Sequence, residues 1–394
     1  MDEEIEDVLI AYSAYRTLYK RKKRRMWIHP LLAVKTRYFP NLFAELRNDE
    51  NKFFNYFRMS KDSFDELLSH LQSSVEKEDT NMRQAIKPSE RLGITLRYLG
   101  SGCSMADLHY SHKIGYSTVQ SIIKEVCSQI WNVLLNECMP KPSQENWLRI
   151  CTDFEKNAHF PNCLGAVDGK HIRIIKPSDS GSLYYNYKNF FSLVLLAVCD
   201  ADYCFTYIDV GSYGKESDSN IFKNSDFYQL LESNNLNIPE SATVEDQRGQ
   251  IPYVFVADEA FSLSQQILRP YSGNQLTEIK KIFNYRLCRA RRYIECTFGI
   301  LANKWRIFHR PLNVFVELAE IITRACCILH NFVRKRDGHR YHDSANNPND
   351  KTGLGNILSA ENVQGGRNAN KIRDSFASYF VTEEGALPWQ YEKM

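Results

Sequence analysis

Three carboxylates stand out by their settings. Asp168 lies in GAVDGKH, in a strand or at its end, between Gly165 and Gly169. Asp258 closes the apolar run YVFVA, and Glu295 sits among basic and apolar neighbours in RARRYIECTF. A carboxylate at the end of an apolar strand must reach a cleft, a partner or a cation, because burying it bare is expensive. Gaps of 90 and 37 residues separate the three, so only the fold can bring them together. Each also has an ordinary reading. Asp168 is then a turn residue, and Asp258 with Glu259 begins a helix, where acids favour the positive end of the dipole. Glu295 then pairs with Arg291 or Arg292, about one turn earlier. Placed together on two strands and a helix, the three become a site for one or two divalent ions. Oxygen donors suit Mg²⁺, with Mn²⁺ able to replace it. Such ions activate a water or a 3′-hydroxyl for attack on a phosphodiester.

The elements that would carry these acids can be read in outline. From residue 160 onward, LGAVDGKHIRIIK reads as a strand, a turn at Asp168-Gly169 and more strand. FSLVLLAVCD and CFTYIDVG are β-rich runs split by a short turn, which predicts an antiparallel hairpin. DSNIFKNSDFYQLLES reads as one helix, and YVFVADEA as a buried strand. Long amphipathic helices follow in KIFNYRLCRARRYIECTFGILANKWRIF and VELAEIITRACCILHNFVRK. Upstream, Ser60, Ser89, Ser104 and Ser117 are each placed to cap a helix. Residues 75–88 form a polar linker. A short helix, a tight turn and a helix opening Ser-Thr read either as a helix-turn-helix or as a plain helical bundle. In the first case Lys113, Ser117, Gln120 and Lys124 face DNA. His171 is three residues beyond Asp168, on the opposite face of a strand. His330 reads as a core hydrogen-bonding group. The tail at 340–370 is polar and loose, and one last helix docks back on the core. The divisions are 1–75 (basic, helical), 76–150 (helix-turn-helix-like), 151–335 (sheet-containing nuclease) and 336–394 (loop and C-terminal helix).

Composition narrows the partners. The chain is 43% hydrophobic, enough for a large core, and 12% aromatic, too much for a mainly disordered chain. Net charge is only +3, but the basic residues are clustered. Residues 20–25 read KRKKRR, and from Arg269 to Arg310 ten basic residues face two acids. Such local surfaces suit a polyanion. The KRKKRR run reads as a nuclear localisation signal and phosphate-binding arm together, so the expected location is the nucleus, with the cytoplasm besides. The eleven cysteines include no CxxC pair, which points to a reduced protein and away from a disulfide scaffold or a zinc module. The acidic N-terminus lacks the apolar stretch of a signal peptide, and no run is long enough to span a membrane.

Six blocks carry a resemblance to a known family. They are GAVDGKHI (165–172), YYNYKNFFSLVLLAVCDAD (184–202), DVGSYGKESDSNIF (209–222), VFVADEAFSLSQQILRPY (254–271), FNYRLCRARRYIECTFGILANKWRIF (283–308) and ACCILHNFVR (325–334). In order and approximate spacing the chain resembles the PIF/Harbinger DDE transposases and the nucleases derived from them. The resemblance implies an α/β, ribonuclease-H-like mixed sheet flanked by helices, preceded by an α-helical helix-turn-helix-like domain. It implies that Asp168, Asp258 and Glu295 are the catalytic, metal-binding acids, and that Arg291 and Lys304 contact DNA; Arg292, on the same basic helix, is a further expected DNA contact. Ala302 stands where a downstream basic residue is usual, and Lys304 is the nearest base. Asp218 is given a structural role as a helix cap, and stands with Glu259 as a rival to Asp258. The implied activity is cleavage at element ends followed by strand joining, or a domesticated nuclease. A non-catalytic DNA-binding scaffold is the alternative. A Myb-like DNA-binding partner protein and a homo-oligomer are further expectations.

Overall fold

The computed structural model describes residues 39–81, 84–240, 245–246, 249–273, 275–338, 354–356 and 366–393. The KRKKRR run and most of the polar tail lie outside these residues. The described residues open with α1 (Phe39–Arg47), α2 (Glu50–Phe57) and α3 (Lys61–Val75). Phe43, Phe53, Phe57 and Phe64 pack at their centre, with Phe53 and Phe57 centroids 4.7 Å apart. Ser60 caps α3 as expected, its side chain accepting from the Ser63 N–H. Three helices follow the linker: α4 (Pro88–Ser101), α5 (Met105–His112) and α6 (Tyr116–Cys138). Ser104 closes a capping box with Asp107. The other two expected caps differ. Helix α4 starts at Pro88, whose missing N–H costs nothing at a first helical position, so Ser89 lies inside the helix. Helix α6 starts at Tyr116 behind an extended Gly115, because Lys113 in the left-handed region (φ 51°) has already ended α5. Ser117 therefore lies in the first turn, exposed.

Helix α7 (Gln144–Ala158) leads into the sheet. Its strands are β1 (Cys163–Arg173), β2 (Ser192–Cys199), β3 (Phe205–Tyr213), β4 (Val254–Val256) and β5 (Ile267–Leu268), in the spatial order β3-β2-β1-β4-β5. The first three are antiparallel neighbours, and β4 and β5 run parallel to β1. A short β6 (Leu354–Asn356) pairs with the far half of β1. This is the expected ribonuclease-H-like mixed sheet with helices around it.

Two details depart from expectation. Strand β1 does not turn at Asp168-Gly169 but runs straight through, with Asp168 opposite Ala197 and Gly169 opposite Leu196. Pairing with β2 from Ala166 to Arg173 holds Gly169 extended. Gly165 is needed for closeness instead, since a Cβ there would stand 2.8 Å from Val198 Cγ1. The expected single helix after β3 is two, α8 (Asp218–Asn224) and α9 (Asp226–Glu232), because Ser225 is extended and spends its hydroxyl accepting from the Tyr228 N–H. The hairpin β2–β3 is as expected, and its turn is held by the Asp200 carboxylate accepting from the N–H groups of Asp202 and Cys204.

Helices α10 (Glu278–Lys304) and α11 (Val316–Asp337) pack against the sheet, and α6 lies along α11. Helix α12 (Arg367–Tyr379) docks on the core through Phe376, 5.5 Å from Phe160, and the adjoining Phe380. One apolar core runs without a break from Phe39 to Phe380. All eleven cysteines are unpaired. Among the described residues no helix is long and apolar enough to cross a membrane.

Candidate metal centre

Strand β1 carries Asp168 at its middle, where the side chain is only 6% exposed. Strand β4 runs parallel beside it and delivers Asp258 two residues beyond its end. Helix α8, entered directly after β3, starts with Asp218, which is 1% exposed. Each of these three aspartates offers a carboxylate oxygen, and these oxygens all lie within 4.8 Å of one another. Their hydrogen bonds are sparse. Asp168 Oδ1 accepts from the Gly169 N–H at 2.9 Å, and Asp258 Oδ1 from the Ala260 N–H at 2.8 Å. Both oxygens of Asp218 are buried without any donor.

The electrostatics follow from this geometry. Burial, then repulsion from Asp258, pushes Asp168 up to about 7. Burial, then Asp168 and Asp258, raises Asp218 well above the usual carboxylate range, and burial raises Asp258. Three acids so placed cannot all ionise without a counter-charge. Their donors are all hard oxygens, and Asp218 leaves two of them unused, so the residues fit a divalent ion of the Mg²⁺ or Mn²⁺ kind.

Glu295 stands on α10 beside this group but outside the 4.8 Å set. Its Oε1 is 2.8 Å from an Arg291 guanidinium nitrogen, the pairing foreseen as the ordinary reading. Burial opposes the Arg291 charge, yet Glu295, Asp168 and Asp258 together raise its pKa above the ordinary value. Arg291 thus faces all three expected acids. Burial pushes the Lys170 ammonium down, while Asp168 and Glu295 act in the other direction.

The remaining candidates are more dispersed. Arg292 is exposed on another flank of α10, lining a hollow with Asn157, Tyr203, Arg289, Tyr293 and Cys296. The Lys304 ammonium lies 4.4 Å from the Phe54 ring centroid, directed at the N-terminal helices. Lys124 is exposed on α6 like Ser117, Gln120 is half-buried there, and Lys113 is half-buried ahead of them. Glu259 is exposed and outside the aspartate group. Asp218 does not act as the expected cap: Ser217 holds the N-cap position, and no backbone N–H reaches the Asp218 carboxylate. His171 is fully buried, with Nδ1 3.0 Å from Ser192 Oγ, and His330 Nε2 donates to the Tyr203 carbonyl. Lys170 was legible as a neighbour of the site, since two residues along a strand return to the same face. Tyr187 and Lys188 were not, because they reach the site on a loop, with Lys188 Nζ 5.4 Å from the Tyr187 ring.

Comparison with known proteins gives similarities over the sheet region and beyond. Residues 167–331 match the DDE superfamily endonuclease family. Protein ALP1-like of Arabidopsis thaliana is 27% identical over 72% of this chain and 71% of its own length. The Arabidopsis protein Antagonist of Like Heterochromatin Protein 1 is 24% identical over 73% of this chain and 74% of its own. The Xenopus laevis protein named "Putative nuclease HARBI1" is 23% identical over 69% of this chain and 75% of its own. No solved structure matches the chain. Residues 167–331, which hold most of a ribonuclease-H-like sheet, are therefore similar to the DDE superfamily endonucleases, and the chain resembles the nucleases derived from Harbinger transposases.

Proposed function

We propose that this protein is a metal-dependent DNA endonuclease of the DDE type, a transposase or a domesticated derivative that keeps nuclease activity. Asp168, Asp258 and Glu295 hold the ion, Mg²⁺ with Mn²⁺ as a substitute. The observation that carries this reading is the convergence of buried carboxylates around Asp168 and Asp258 with too few donors to satisfy them. When bound, divalent ions there activate a water or a 3′-hydroxyl and stabilise the leaving oxygen of the phosphodiester. The chain's own groups hold the substrate. Arg291 and Lys170 lie beside the acids and neutralise the scissile phosphate, and in doing so Arg291 gives up Glu295. Lys113, Ser117, Gln120 and Lys124 of the helix-turn-helix, with Arg292 and Lys304, hold flanking DNA, largely through its phosphates.

The cleavage takes place at the ends of an element and is followed by strand joining where the protein remains a transposase. A Myb-like DNA-binding partner and a homo-oligomer complete the assembly, and the KRKKRR segment directs it to the nucleus. The test is nicking of supercoiled plasmid or end-labelled duplex with Mg²⁺ or Mn²⁺. Wild type is expected to cleave, and Asp168→Asn, Asp258→Asn and Glu295→Gln to lose at least a hundredfold in rate. Equal behaviour of wild type and the three variants at every metal and salt level would overturn the reading.

A second reading is a non-catalytic, DNA-binding chromatin scaffold. The ion pair that engages Glu295 supports it, as does the name of the Arabidopsis relative that antagonises a heterochromatin protein. Acid-dependent Mn²⁺ binding in calorimetry separates the two, since a scaffold needs none.

A further inference from the structure

We propose that Asp218 is a ligand of the divalent ion at this site, a fourth acid beside the expected three. The inference rests on the metal-dependent reading above and goes beyond its residue set. Asp168 and Asp258 each have one backbone N–H donating to a carboxylate oxygen. Asp218 has none on either oxygen, although it is 1% exposed. One of its oxygens is within 4.8 Å of an oxygen on each of the other two aspartates, so the carboxylate faces them directly. A buried carboxylate without donors is costly unless a cation meets it. The local structure offers no other use for it. Asp218 is the first residue of a seven-residue helix, and the capping position before it belongs to Ser217.

Three aspartates, from the middle of β1, the start of α8 and just past the end of β4, each offer one oxygen donor to an ion, with waters left to fill its remaining positions. Glu295, engaged by Arg291, is then left to act when DNA is bound. One consequence is specific. Ion binding in the absence of DNA depends on Asp218 more than on Glu295.

The test uses the full chain without DNA and Mn²⁺ as the probe, read by titration calorimetry and by melting temperature. Asp218→Asn is expected to weaken Mn²⁺ at least tenfold, while Glu295→Gln weakens it less than threefold. The same Asp218→Asn substitution is expected to raise the melting temperature of the metal-free protein, because a buried acid without donors, facing two other acids, is removed. A lowered metal-free melting temperature with unchanged Mn²⁺ affinity would assign Asp218 a structural role and overturn the proposal. Asp218→Glu, which keeps the charge and moves the oxygens, covers the case where the asparagine variant does not fold. Its Mn²⁺ affinity must shift, and an unchanged value overturns the proposal. If Asp168→Asn abolishes Mn²⁺ binding and neither Asp218 variant alters it, Asp218 is no ligand while the metal-dependent reading stands. If wild type shows no acid-dependent Mn²⁺ binding, both fall.

Discussion

Asp168 and Asp218 are buried, and their neighbours are acids more than bases. That is poor design for stability and good design for holding a cation. Histidine at the same depth shows the opposite strategy. His330 is buried, its Nε2 donates to the Tyr203 carbonyl, and burial pulls it down to about 3. Burial also lowers His171, to about 4. For both, the folded pKa is below the unfolded one of about 6.5. Between these values the unfolded chain binds protons that the folded chain does not. The stability they contribute is complete above pH 6.5 and is lost as the pH falls towards 3. His330 alone should remove about 2 kcal/mol between pH 6.5 and 5. Urea unfolding of wild type and His330→Gln at several pH values checks this. The variant should show the shallower decline, and parallel curves would exclude His330 as the source.

Helix ends show how the regions are tied together. The Asp337 carboxylate, at the end of α11, accepts from the Ser60 N–H at 2.9 Å, the Ser60 hydroxyl at 2.7 Å and the Ser63 hydroxyl at 2.6 Å. It thereby locks the start of α3 to the last turn of a helix some 270 residues away. Asp337→Ala would leave three donors unmet and should cost about 3 kcal/mol, read as a lower urea midpoint at constant slope. A smaller loss for Asp337→Asn, which keeps an acceptor, would support the hydrogen-bond explanation. The same helix-end reasoning accounts for the two misplaced caps. Whether a helix starts at Ser89 or Pro88, or at Ser117 or Tyr116, turns on ψ at the residue before it, 149° at Lys87 and 139° at Gly115. Only the assembled loops set those angles.

At the scale of the whole molecule, the helical region and the sheet share one core, with α6 packed along α11. DNA bound on the outer face of α6, as proposed, would therefore be carried by the same body that holds the acids. Lys124→Glu tests this path. It should weaken duplex binding and lower the salt slope of log K by about one to two units, with Mn²⁺ affinity unchanged. Unaltered DNA affinity and salt dependence would place the DNA elsewhere. The C-terminal segment belongs to the same body. Arg286 donates to the Gly385 carbonyl at 3.1 Å and to Gln390 Oε1 at 3.0 Å, joining α10 to the last turns of the chain.

Sequence alone determined the parts. The alternation and apolar runs marked the hairpin and the short buried strand, and the long amphipathic patterns marked α10 and α11. These are properties of neighbouring residues, and neighbours suffice to reveal them, whereas Asp168, Asp258 and Glu295 were each ambiguous locally and were singled out as a set by the resemblance of six ordered motifs to a known family. Tertiary structure alone decided that Asp168 stands in mid-strand and not in a turn, because strand pairing on both sides of it overrides the turn preference of Asp-Gly. It also decided which carboxylates meet. Asp218 lies 50 residues after Asp168 and 40 before Asp258, and no local pattern distinguishes a helix-starting aspartate that faces solvent from one that faces two other acids. That distinction comes from where β3 ends and how β4 crosses back to lie beside β1.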